Sequence, residues 1–267
     1  MNTVLLITKI ILTPLIVALV TLVARRWGET IGGLLIGLPL TSGPVSVFLV
    51  IEQGRHFAAG AANAAILGLI PVTAFYSAYV FSARRFPWYG SALTGILSYS
   101  LVVTGIAALP IGLGLTTLVV LLVLAAGVWL LGKREAGAAL ITPPWWDLPG
   151  RMVLATLLLV LITAAANTLG PKWSGLLSPF PIFTSVMVIF CHRQGGLPAA
   201  RRLIQGVSLG LFSYVAFFLV VRSLVERLNL LVVYALAALV ALMVSGTFLG
   251  FQMWRKRVAL AADKPAS

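Results

Sequence analysis

Two windows of the chain combine prolines with hydroxyl side chains: Gly37-Leu38-Pro39-Leu40-Thr41-Ser42-Gly43-Pro44 and Ser178-Pro179-Phe180-Pro181-Ile182-Phe183-Thr184-Ser185. A proline inside a helix removes a backbone hydrogen bond and clashes with the preceding turn, at a cost of about 3 kcal/mol. Pro39, Pro44, Pro179 and Pro181 are therefore expected to interrupt the helices that carry them. A helix that restarts after such a break presents free N–H groups and about half a unit of positive charge at its first turn. Thr41, Ser42, Gly43, Thr184 and Ser185 stand at the two restarts, as ligand donors or as N-caps. That arrangement suits an anionic or strongly polar group. The competing reading is a pair of proline kinks whose freed carbonyls are satisfied by the same Ser and Thr hydroxyls.

Other polar residues within the apolar sequence are few. Asn63 and Gln205 are candidates to line the same site, although a single amide also serves as ordinary glue between helices. Glu52 is the one acid that closes an apolar run, in Glu52-Gln53-Gly54-Arg55-His56. It is the candidate for ion coupling, tuned by Arg55 or His56; an interfacial carboxylate paired with Arg55 is the simpler account. The remaining acids, Glu29, Glu135, Asp147, Glu226 and Asp263, read as loop or tail residues. Cys191 beside His192 resembles a nucleophile and its base, but adjacent helical residues do not face each other. No metal-binding spacing, P-loop, nucleophile elbow or dinucleotide fingerprint is present, so no cofactor and no metal are expected and enzyme chemistry is poorly supplied.

These residues sit in a chain of 267 with 60% hydrophobic and 9% charged residues and a mean hydropathy of +1.07. Soluble domains carry about 25% charged residues, so a water-soluble globule is excluded. Continuous apolar runs, rather than short alternating segments, point to helices and away from a β-barrel. A single cysteine excludes an internal disulfide. Nineteen Lys and Arg against six Asp and Glu give +13. Because the basic residues fall in short gaps between apolar runs, they read as topology signals and not as a nucleic-acid surface.

Apolar runs suggest nine spans, near residues 4–24, 31–51, 57–81, 88–109, 111–131, 152–168, 173–190, 197–221 and 228–251. The 44 residues from 88 to 131 would form about 66 Å of helix, or two crossings of about 30 Å. Pro110-Ile111-Gly112 supplies the turn between them. Nine spans distribute the basic residues 14 to 4 between the two sides, with Lys9 inside the first span. The positive-inside rule then sets the N-terminus outside and the C-terminus in the cytoplasm of a cell inner membrane.

A shift of 142 positions aligns residues 19–75 with 161–217 without a gap and with 16 identities in 57 positions. The matches include Gly33-Leu34-Leu35 with Gly175-Leu176-Leu177, Pro39 with Pro181, Gly54 with Gly196, and Leu67-Gly68-Leu69 with Leu209-Gly210-Leu211. Half of them are Gly, Pro, Phe or Thr, which the general excess of Leu and Ala does not explain. Five crossings separate equivalent spans, so the copies would have opposite orientations, as in many secondary transporters.

The sequence thus predicts an all-α polytopic membrane protein of about nine spans, with two inverted-topology repeats and discontinuous helices two and seven. Residues 1–109 form the first repeat and 152–254 the second. Residues 110–151 hold the linking span with its loop, and 255–267 form a basic tail. The expected function is a secondary transporter or flippase-like carrier for a small organic anion or an amphipathic molecule with an anionic head. Its partners would be the lipid bilayer and a small-molecule or lipid-like substrate, not nucleic acid, and a homo-oligomer is compatible with it. The alternatives are a membrane-embedded enzyme or complex subunit acting on a lipid-linked substrate, and a non-transporting assembly factor.

Overall fold

The computed structural model describes residues 3–40, 42–106, 113–132, 144–169 and 180–262. Among them every regular element is helical: α1 (Thr3–Trp27), α2 (Glu29–Ile36), α3 (Ser42–Gln53), α4 (Arg55–Leu67), α5 (Leu69–Ser82), α6 (Trp88–Ile106), α7 (Leu113–Leu130), α8 (Asp147–Leu169), α9 (Ile182–Leu224) and α10 (Leu230–Ala262). Among the described residues five stretches are long and apolar enough to cross a membrane: Arg55–Ser82, Trp88–Ile106, Leu113–Leu130, Ile182–Leu224 and Leu230–Phe251. The chain is an α-helical membrane protein. The 88–131 run is carried by two separate helices, α6 and α7, as the breaker at Pro110 implies; Pro110 itself lies outside the described residues.

Glycine sets the corners. Gly28 (φ 100°), Gly54 (φ 86°) and Gly196 (φ 66°) hold backbone conformations that a side chain would strain. They turn the chain from α1 to α2, from α3 to α4, and between the 182–195 and 197–224 parts of α9. Gly68 is different: its φ of −60° lets α4 run almost directly into α5.

The second part of α9 is the centre of the molecule, with Leu203, Ile204 and Val221 completely enclosed. On it lies α2, and the crossing is backbone against backbone. A Cβ on Gly33 would stand 2.2 Å from the Leu203 carbonyl oxygen, one on Gly37 2.5 Å from Gly210 Cα, and one on Gly206 2.0 Å from the Thr30 carbonyl oxygen. Gly33 and Gly37 on one helix, and Gly206 and Gly210 on the other, are two small-xxx-small pairs that let the axes meet closely. In a membrane this close packing replaces the hydrophobic drive that water would give. On the far side α5 packs against α6 and α7, where Gly127 admits the Thr73 methyl. The outer faces of α6, α7 and α10 expose Leu101, Trp129 and Leu231 at 75–79%, as lipid-facing surfaces should.

Candidate functional site

The first proline window is a true break. Helix α2 stops at Ile36 and α3 restarts at Ser42. Between them the chain closes its own short turns, Leu40 N–H to the Leu38 carbonyl at 2.8 Å and Gly43 N–H to the Pro39 carbonyl at 2.9 Å. Pro44 falls in the first turn of α3, where the missing N–H has no helical acceptor anyway, so it is tolerated. Ser42 is half-buried at the restart of α3. Gly43 is buried, and its space is bounded by the Phe217 ring, 3.3 Å from where a Cβ would stand. Thr41 lies outside the described residues.

The second window ends in the start of α9, with Pro181 as its N-terminal boundary; Pro179 lies outside the described residues. Thr184 is 3% exposed, and the Tyr76 hydroxyl of α5 donates to its Oγ1 at 2.9 Å. The Ser185 hydroxyl donates back to the Pro181 carbonyl at 2.8 Å, an acceptor that the Ser185 backbone N–H also reaches at 2.9 Å, the local bonding typical of a serine in the first turn of a helix. Phe180 packs edge-on to Tyr99 and Phe75, with centroids at 5.2 and 6.1 Å.

The two breaks meet. Leu38 and Leu40 from the first, and Phe183 and Met187 from the second, line one cleft with Ile16, Val17 and Val20 of α1 and Ile36 of α2. The cleft is apolar and holds about 20 Å³, the room of about one water molecule. Ser42, the Tyr76–Thr184 hydroxyl pair and this cleft constitute the candidate site.

The other sequence candidates lie apart from it. Glu52 is exposed at the end of α3. Arg55 donates to the carbonyls of Val225 (3.3 Å) and Leu228 (2.9 Å), and His56 Nδ1 meets Glu226 at 2.9 Å. Both thus tie the start of α4 to the end of α9. Asn63 is half-buried on α4. Gln205 is buried on α9 and donates to the Gly132 carbonyl at 3.1 Å, at the end of α7. Cys191 and His192 point apart as expected: His192 Nδ1 is 3.0 Å from the Tyr79 hydroxyl, whereas Cys191 Sγ faces the Arg151 guanidinium at 4.0 Å.

Asp147 corrects the sequence reading. It is no loop acid but the first residue of α8, with its side chain fully enclosed. Arg25 reaches it at 2.7 Å, Arg151 at 3.0 and 3.1 Å, and Gln194 Nε2 donates to its Oδ1. Arg151 also donates to Met187 Sδ at 3.4 Å and Gln194 Oε1 at 3.3 Å, and lies 5.0 Å over the Phe190 ring. Burial by itself would raise the Asp147 carboxyl; the hydrogen bond from Arg25 and the charge of Arg151 outweigh it and hold the group below the usual carboxylate range. The sequence did carry a signal for this cluster, since Asp147 and Arg151 are spaced i, i+4 in a helix's first turns. Glu29, likewise read as a loop acid, starts α2 and accepts from Arg202 at 3.2 Å. Among the described residues no cluster of three His, Cys, Asp or Glu could hold a metal.

Comparison of the chain with known families, curated proteins and solved structures finds no match. Function must be argued from the site itself.

Proposed function

We propose that the protein is a secondary transporter, or flippase-like carrier, of a small organic anion or an amphipathic molecule with an anionic head, working by alternating access between two inverted repeats. The observation that carries this reading is a pair of crossed aromatic contacts at the two breaks. Under the 142-residue shift Phe75 corresponds to Phe217, and each ring packs at the other half's broken segment, Phe75 on Phe180 and Phe217 3.3 Å from where a Gly43 Cβ would stand. Ser42 likewise corresponds to Thr184, which the Tyr76 hydroxyl of the first half bonds. An incidental proline kink would not repeat this exchange.

A further pair supports the same symmetry: Gly54 and Gly196 correspond in sequence and share an unusual positive φ. In this reading the chain has nine spans in a cell inner membrane, the N-terminus outside and the C-terminus in the cytoplasm. The helix restarts at Ser42 and Ile182 direct partial positive charge to the shared cleft, which favours an anion. The narrow cleft is then a closed state, and exchange of conformation between the halves opens it to either side. The interfacial-enzyme alternative loses support from Arg55 and His56, whose hydrogen bonds tie α4 to the end of α9 and so give both residues a structural task.

The test is a melting-temperature screen of the purified protein against organic anions, phosphorylated lipids and amino acids, with a Ser42→Ala/Thr184→Val double variant alongside. A ligand at 100 times its Kd stabilises the native state by about 2.7 kcal/mol, which is readily seen. A shift in the wild type that the double variant lacks, and uptake into proteoliposomes that it also lacks, is the expected result. Equal transport by both proteins would overturn the reading.

A further inference from the structure

Three enclosed polar atoms on one face of α9 have no hydrogen-bond partner: Nη1 and Nη2 of Arg202 and Oε1 of Gln205. Residues 202 and 205 are spaced i, i+3 and therefore neighbour each other on the helix surface. Buried donors and acceptors are almost always paired, so three orphans together require an explanation.

From these atoms we infer an anion site for hydrogen phosphate, separate from the cleft at the broken helices. Arg202 is 13% exposed and gives only its Nε to Glu29, at 3.2 Å. Both terminal nitrogens remain, and they form the fork that binds two oxygens of a phosphate or carboxylate. Gln205 is 6% exposed, and its Nε2 donates to the Gly132 carbonyl at 3.1 Å. That bond fixes the amide: turned over, it would set oxygen against oxygen. Its free atom is thus an acceptor. The Arg201 guanidinium reaches the same glycine, 3.6 Å from where a Gly132 Cβ would stand.

The mixture of donors and one acceptor selects the ligand. Sulfate and ionised carboxylates offer only acceptors, and would face the Gln205 oxygen with their own. Hydrogen phosphate carries a hydroxyl at neutral pH, so it accepts from the Arg202 fork and donates to Gln205 Oε1. A phosphate monoester in its monoprotonated form has the same pattern, and its second pKa near 6 makes that form scarce as pH rises. The shared chemistry is a protonated phosphate, delivered as the free ion or as the headgroup of a lipid phosphate monoester. This site stands on its own atoms, whether or not the broken helices carry a substrate.

The experiment is calorimetric titration of the full-length protein in phosphatidylcholine nanodiscs with inorganic phosphate and with sulfate, at pH 6 and pH 8. Discs containing phosphatidic acid provide the lipid arm, read as competition with the free ion. Phosphate should bind at least about tenfold more tightly than sulfate, the usual worth of a hydrogen bond to a charged group. Gln205→Leu should erase most of that preference while phosphate still binds. Arg202→Lys keeps the charge and a partner for Glu29 but loses the fork, and should weaken phosphate at least about tenfold. Arg202→Gln should weaken it further, and melting curves of each variant report whether it is folded. Competition by phosphatidic acid at pH 6 that fades at pH 8 would assign the lipid source; phosphate binding that is equal at both pH values and indifferent to the lipid would assign the free ion. Wild-type protein that binds neither anion nor lipid, the result expected if a water fills the gap, overturns the proposal. So does phosphate binding that Arg202→Lys and Arg202→Gln leave unchanged. Equal affinity for sulfate and phosphate in the wild type overturns the role given to Gln205 and with it the ligand.

Discussion

Replacing Asp147 by asparagine removes the carboxylate that pairs with both Arg25 and Arg151. Its side chain is fully enclosed and that of Arg151 is 6% exposed, whereas Arg25 is 36% exposed. Removing one member of a buried ion pair costs about 3–5 kcal/mol, because the partner charge stays buried without compensation. The substituted amide would keep an acceptor for Gln194 or Arg151, and water can reach Arg25, so the expected loss lies at the low end, about 3 kcal/mol. The double variant Asp147→Asn/Arg151→Gln removes both buried charges and leaves amides that can bond each other. It should be more stable than Asp147→Asn by about 1–2 kcal/mol, a coupling typical of residues in contact. Unfolding in bicelles, followed by tryptophan fluorescence against denaturant, measures all four corners of the cycle. Additive losses would refute the reasoning, since they would mean that Asp147 and Arg151 act independently. The same carboxylate gives a pH signature. Its folded pKa lies below the unfolded value near 3.8, so its contribution is fully present above that value and fades as the pH falls through the folded pKa. Wild-type stability should therefore drop in that acid range more steeply than that of Asp147→Asn.

Other outcomes follow from single contacts. Gly206→Ala drives a methyl against the Thr30 backbone, 2.0 Å from its carbonyl oxygen, and should cost at least about 3 kcal/mol, the upper end of ordinary overpacking; Gly60→Ala, with nothing within 4 Å, should gain about 0.5–1 kcal/mol in the same unfolding assay. Ser185→Ala removes the second of two hydrogen bonds to the Pro181 carbonyl, which keeps the residue 185 backbone N–H, and should lower stability by only about 0.5 kcal/mol, with ligand binding in the melting screen preserved; loss of binding at full stability would make Ser185 a ligand donor. Tyr76→Phe removes the hydroxyl bonded to Thr184 and should reduce proteoliposome uptake; uptake equal to wild type would remove that hydroxyl pair from the site. A reporter fused after Ser267 should read as cytoplasmic; an external signal would overturn the proposed topology.

Much of this protein is settled by one-dimensional information. Its apolar runs cannot be solvated by water and need only local hydrogen bonds to be stable in lipid, so helices and membrane residence follow from composition and length. The breaks are equally local. Proline lacks its N–H wherever the chain later goes, and α3 restarts at Ser42 because Pro39 prevents α2 from continuing. Ser42 and Thr184 could be singled out for the same reason, by their position after a break.

Their partners could not. Tyr76 approaches Thr184, and Phe217 approaches Gly43, from more than a hundred residues away, and many aromatic residues at helical spacing would look the same in a sequence. Asp147 reads as a loop acid until Arg25 folds against it across 122 positions, because burial of a charge is decided by what surrounds it, not by its neighbours in the chain. The Gly33–Gly37 and Gly206–Gly210 pairs are legible as spacings that permit close approach, but which helix lies in which groove depends on backbone contacts. Local chemistry fixes where helices form and where they must fail. Pairing of polar groups depends on which distant segments meet, and it is that meeting which leaves Arg202 and Gln205 with something to bind.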